Sequence, residues 1–87
     1  MNEHIILGVH VTERMHQVQR IQQLFSDYGC HIKTRIGLHE VSNGMCSAGG
    51  VIVLEMVGGS AKAQELQDHL AALDGVYVQK MVFDHPK

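Results

Sequence analysis

The chain is short of charge. Only 18% of its 87 residues are Asp, Glu, Lys or Arg, and the formal net charge is −2. Without a basic field nothing gathers a phosphate backbone, so direct nucleic-acid binding is not expected. Long apolar runs are also missing, the longest falling far below the roughly 20 residues of a membrane span, so no membrane contact is expected. The N-terminus carries no basic start, apolar stretch and small-residue cleavage site, which makes the cytoplasm the expected location. Cysteine is scarce: Cys30 and Cys46 are the two in the chain, and without a leader both are expected to stay reduced. A single domain over residues 1–87 is expected from the length. A chain so small buries only about 60 to 65% of the surface its unfolded form exposes, which leaves little margin for a lone monomer.

What is present is periodic. The apolar fraction is 45%, normal for a globular domain. His4 to Val11 is short and β-branched and predicts a first strand, with Ile5, Leu7, Val9 and Val11 on one face and His4, Ile6, Gly8 and His10 on the other. Thr12 supplies an N-cap hydroxyl and Glu13 a first-turn carboxylate. Met15, Val18, Ile21, Phe25 and Tyr28 then come at spacings of three or four, an amphipathic helix that Gly29 ends in the αL position. A second strand is expected over Ile32 to His39, with Ile32, Thr34, Ile36 and Leu38 sharing a face. Glu40 to Gly50 has three glycines and no pattern and predicts a loop. Val51 to Val57 is an apolar third strand, and Ser60 caps a helix carrying Ala63, Leu66, Leu70 and Leu73. Asp74-Gly75 closes that helix before a fourth strand, Val76 to Phe83.

The order β-α-β-β-α-β with right-handed crossovers predicts an α+β, ferredoxin-like sandwich: a four-stranded antiparallel sheet with two helices on one face. The other face is then uncovered. Ile6 belongs to it, with Val51, Val53 and Val57 if the third strand has that parity. From the fourth strand it takes either Val76, Val78 and Val82 or Tyr77, Met81 and Phe83. An apolar sheet face on so small a chain calls for a partner, so a homodimer or homotetramer is expected. Met15, Met56 and Met81 are read as core packing.

The candidate chemistry gathers at the central hairpin, where His39 ends a strand and Cys46 stands on a glycine-rich loop. Imidazole plus thiolate suits nickel, zinc or copper. Against this stands the plainer reading that seven histidines scatter over an exposed face and loop. His10 shares the outer face of the first strand and is a further candidate, whereas His4, His16, His69 and His85 are read as surface residues on a frayed end, two helices and a tail. Cys46 as a nucleophile would need a base and an oxyanion site, and the sequence supplies neither, so no enzyme is expected. Cys30 is read as either a small buried hydrophobe or an exposed thiol. Gly58-Gly59-Ser60 before a helix has the form of an anion-binding turn, but most such turns only join a strand to a helix.

The strand Arg35-Ile36-Gly37-Leu38, the polar loop, Val51-Ile52-Val53-Leu54, the helix ending in Gly75-Val76 and the last strand with Gln79-Lys80 together resemble the small iron-only hydrogenase system regulators. The resemblance runs from the first strand to Phe83. That family is similar in turn to the ligand-sensing domain of the nickel-responsive repressor and, more distantly, to ACT domains. It implies an oligomeric sensing fold, a hydrogenase-system transcriptional role exerted through a regulatory protein partner, and no DNA-binding arm before His4. The repressor's domain holds nickel by a His-x-His pair ending its second strand, a cysteine just before its third and a histidine from the partner subunit. His39 matches the second histidine of the pair, Cys46 resembles the cysteine one residue displaced, and His31 lies near the place of the cross-subunit ligand. Gly37 stands where the first histidine would be. An RNA-recognition module shares this fold but stacks bases on aromatic residues of the central strands, and IILGVHV and VIVLEMV contain none. The alternative to a sensing module is a structural oligomerisation module without a ligand.

Overall fold

The computed structural model describes the backbone of residues 2–12, 18–42 and 45–85 and the side chains of 3–12, 19–37 and 50–84. Seven elements succeed one another: β1 (Asn2–Val11), α1 (Val18–Asp27), a 3-10 turn (Gly29–His31), β2 (Ile32–Ser42), β3 (Met45–Met56), α2 (Ser60–Ala71) and β4 (Val76–His85). The strands form one sheet in the order β2-β3-β1-β4, each neighbouring pair antiparallel. This is the ferredoxin-like βαββαβ arrangement that the periodicity predicts.

The core lies between the sheet and the helices. Ile5, Leu7, Val9 and Val11 of β1 point inward by strict alternation, joined by Leu54 and Met56 of β3 and Val76 of β4. Ile21, Leu24 and Phe25 close over them from α1, and Ala63, Leu66 and Leu70 from α2. No polar or charged residue among those described is buried. Each fully buried Leu or Ile is worth about 1.5–3 kcal/mol of apolar transfer, so these few side chains carry the fold.

Several local expectations change. Residues 40–42 and 45–50 are strand, not loop, with Val41 opposite Cys46 and Ser42 opposite Met45. In β2, Ile32 pairs with Met56 but Thr34 pairs with Glu55, so Lys33 is an inserted residue. Such a bulge reverses the parity of the residues beyond it. Ile32 therefore packs on the core, while Thr34 and Ile36 share the outer face with Glu55 and Val53. Met56 is buried as expected, but Met81 is 53% exposed on β4, and Met15 lies outside the described residues.

The helix ends differ as well. Gly29 is not in the left-handed region: α1 stops at Asp27 and passes into the 3-10 turn, where the His31 amide donates to the Tyr28 carbonyl at 2.8 Å. Ser60 begins α2 instead of capping it. Gly59 (φ 98°) holds the cap position, which no side chain satisfies. The start of α1, including Glu13, lies outside the described residues. The Thr12 hydroxyl donates to the Gly75 carbonyl at 2.8 Å, beside the Thr12 amide at 2.9 Å, and so ties the end of β1 to the start of β4. Gly75, at φ 77°, supplies the left-handed residue after α2.

Candidate functional site

Two places on the sheet set this chain apart from a plain sandwich. The first is the far end of the central hairpin. The ladder between β1 and β3 ends at Val11 opposite Gly50, whereas β2 and β3 go on pairing to Ser42 opposite Met45. That last stretch has no β1 neighbour and forms a two-stranded arm about 16 Å long at roughly 3.3 Å per residue. The molecule is accordingly elongated, 48 × 24 × 18 Å. One residue of β2, at 40, faces three of β3, at 47–49, because the register shifts between His39 opposite Gly50 and Val41 opposite Cys46. His39 thus stands in the ladder at the base of the arm and Cys46 within it. Their side chains lie outside the described residues.

His31 is at the other end of the same strand pair. Its carbonyl accepts the Val57 amide at 2.8 Å, and its ring packs on Gly58. With β2 intervening, His31 and His39 are more than about 20 Å apart along the strand. One chain therefore does not assemble the nickel set: Gly37 has no side chain to offer, and His31 reaches the arm only if a neighbouring subunit supplies it. Cys30 is exposed, and the strand between it and Cys46 far exceeds the 4.4–6.8 Å Cα separation of a disulfide, so the two do not pair within a chain. Among the described residues no three His, Cys, Asp or Glu side chains converge as a metal site.

The second place is the face of the sheet turned away from the helices. Register fixes its members: His4, Ile6, Gly8 and His10 of β1, Val51, Val53 and Glu55 of β3, Thr34 and Ile36 of β2, and Tyr77, Gln79, Met81 and Phe83 of β4. Of the two alternatives for β4, the outward set is thus Tyr77, Met81 and Phe83. Val76 and Val78 pack on the core. Ile36, Tyr77, Met81 and Phe83 are 51%, 62%, 53% and 47% exposed, a high share for large apolar side chains.

One polar cluster interrupts this face. The Thr34 hydroxyl donates to Glu55 Oε1 at 2.8 Å, and His4 Nε2 lies 2.6 Å from Glu55 Oε2. The hydrogen bond from Thr34 and then that from His4 hold the Glu55 carboxyl below the usual carboxylate range, against a smaller upward push from lost hydration. The His4 ring is 6.4 Å from that of Phe83, and the His10 ring is the same distance from Tyr77. His4 is therefore built into the sheet and not left on a frayed end. The signal for this cluster was in the sequence: a carboxylate inside VIVLEMV needs a partner on the neighbouring strand.

Two open clefts lie among the described residues. One, of about 450 Å³, is lined by Glu3, His4, Lys33, Glu55 and the Gly58-Gly59 turn. The other, of about 290 Å³, runs between the helices past Arg20, Tyr28, His31, Lys62, Glu65 and His69. In the second, the Tyr28 hydroxyl donates to Glu65 at 3.2 Å, and lost hydration followed by that carboxylate pushes the tyrosine pKa up. On the helix side of β2, Arg35 lies 4.6 Å over the Phe25 ring and fastens that strand to α1.

No protein-family model matches the chain, and no curated protein matches its sequence. Among solved structures it is similar to the uncharacterized protein TM1266 from Thermotoga maritima, at 18% identity and a TM-score of 0.79, over 95% of this chain and 100% of that one. It is also similar to CPII, a nitrogen regulatory PII-like protein from Thiomonas intermedia K12 solved with ADP, AMP and bicarbonate. There the identity is 16% and the TM-score 0.52, over 99% of this chain and 98% of that one. At these identities the likeness is one of fold, carried over 95% and 99% of this chain.

Proposed function

We propose that this chain is a regulatory module that senses a small ligand or transition metal as part of a homodimer or homotetramer, and that its role is binding, not catalysis. The observation that carries this reading is the two-stranded arm. It takes Cys46 past the last rung that β1 shares with β3 and sets His39 at its base opposite Gly50. A strand-borne histidine and a cysteine on a projecting hairpin are placed to contact an effector without disturbing the core. His31 of a neighbouring subunit is the proposed third contact, since its own chain holds it far away. Nickel, zinc and copper(II) are the metals this donor set favours. A fold shared with a nitrogen regulatory PII-like protein supports the regulatory part of the reading. Control of a hydrogenase system, with a cytoplasmic regulatory protein carrying the signal onward, is the finer role that the family resemblance suggests.

Titrating the three metals into reduced protein and into a His39→Ala, Cys46→Ser double variant tests it. Stoichiometric binding by the unmodified chain and affinity at least about tenfold weaker in the variant are expected. Equal affinity would remove the arm as the effector site. Imidazole and thiol must both lose protons to bind metal, so affinity should also weaken as pH falls. The second reading, an oligomerisation module without a ligand, is favoured by the exposed apolar face. Under that reading no metal binds stoichiometrically to either protein.

A further inference from the structure

The geometry points to a second copy of this chain as the occupant of the outer sheet face, the two sheets packed face to face about a two-fold axis with their helices outermost. This deepens the oligomer named above by assigning its interface, and it does not depend on whether the arm binds a ligand.

Area is the first support. β1 and β4 at ten residues each and β3 and β2 at the seven rungs outside the arm, about 4.8 Å apart and about 3.3 Å per residue, span roughly 540 Å², so two such faces bury on the order of 1,100 Å², just above the roughly 1,000 Å² that a specific interface must clear. Side-chain relief adds to this. Ile36, Tyr77, Met81 and Phe83 are exposed on this face and make no part of the helix-side core, and Val82 on the other side of β4 is the one described β4 valine that core leaves 45% exposed.

Charge is the second. Among the described outward residues Glu55 is the one carboxylate, it is hydrogen-bonded by Thr34 and His4 of its own chain, and Lys33 at the β2 bulge lines the same cleft, so its charge is met within the monomer. Two copies can therefore meet without opposing like charges.

Gly8 is the third and most specific. It sits mid-strand on the central β1, between Val53 and Gln79, and points to this face. A Cβ there would meet nothing nearer than the Gln79 carbonyl oxygen at 4.0 Å, and Gly8 is not among the glycines with positive φ. The monomer thus has room for a side chain at a position where glycine weakens a strand. Glycine there fits a site where another molecule approaches closely. A dent at the centre of an apolar face, rimmed by Ile6, Val53 and Met81, is shaped to receive a large side chain from the facing copy. Two-fold symmetry then makes the same contact twice.

The test is sedimentation equilibrium in chelator-treated, ligand-free buffer, on the unmodified chain and on three variants. The unmodified chain should associate at micromolar concentration. Met81→Lys and Ile36→Lys should each weaken association on the order of 100-fold or more, because both copies would bury an unpaired ammonium. Gly8→Ala is the control against misfolding, since the monomer has space for its Cβ. It should retain the far-ultraviolet dichroism and cooperative melt of a folded domain while associating at least about tenfold more weakly. A monomer at high micromolar concentration for the unmodified chain would overturn the assignment. So would association that all three folded variants leave unchanged, because the interface would then lie at the strand edges, the helices or the arm. Either failure leaves the metal titration of the arm free to succeed or fail separately.

Discussion

Glu55 and Gly58 show how single residues commit this fold. The Glu55 carboxyl is held below its ordinary value of 4.5 chiefly by the Thr34 hydroxyl, with His4 second. A carboxyl depressed in the folded state contributes stability above its unfolded pKa and loses it as pH falls through the folded one. The contribution is therefore whole near neutrality and disappears below the ordinary glutamate range. Thr34→Val removes the larger cause, and the Glu55 pKa should rise toward 4.5, read from carboxyl-carbon shifts in a pH titration by nuclear magnetic resonance. An unchanged value would mean that His4 alone holds it. Gly58 combines a φ of 95° with a closeness to His31: an added Cβ would clash with Nδ1 of that ring. Gly58→Ala should cost about 1–3 kcal/mol in denaturant midpoint from backbone strain, plus the clash. Placing it in a His31→Ala background should recover the clash and leave the strain, so the two costs should not add.

Elements were legible in the sequence wherever one face was buried against the helices. The odd positions of β1 and the threes and fours of α2 each repeat a period that only one packing satisfies, and Ile5, Leu7, Val9, Leu66 and Leu70 are all buried as that period requires. Leu66→Ala or Leu54→Ala should accordingly cost about 2–5 kcal/mol in chemical unfolding. A value within the error of the unmodified chain would mean that the core relaxes around the gap. What the sequence hid was anything set by one inserted residue. Lys33 is such an insertion, and it reverses the outlook of Ile36 although the alternation of hydrophobic residues runs through it unbroken. The arm was hidden for another reason. Its Ser and Gly residues have low strand preference, and its sequence repeats no apolar period to betray it. The Thr34–Glu55–His4 cluster joins residues 21 and 51 positions apart, so it was visible only as an unexplained carboxylate.

At the scale of the whole molecule, the arm and the outer face are coupled if a metal takes ligands from two subunits. His31 and His39 stand at opposite ends of β2, so a site using both can form only when a second chain reverses the direction. Association and metal binding would then stabilise each other by the same free energy, whichever is varied. At a metal concentration about 100 times the dissociation constant the shared state gains about 2.7 kcal/mol, which corresponds to roughly a hundredfold tighter association. Sedimentation of the unmodified chain with and without nickel, zinc or copper(II) should show that gain for whichever metal binds. Met81→Lys should lower metal affinity, although Met81 lies on β4 and β1 separates it from the arm-bearing β3 and β2. If Met81→Lys yields a monomer that binds metal as tightly as the unmodified chain, the ligands all come from one arm, and His31 has no part in the site.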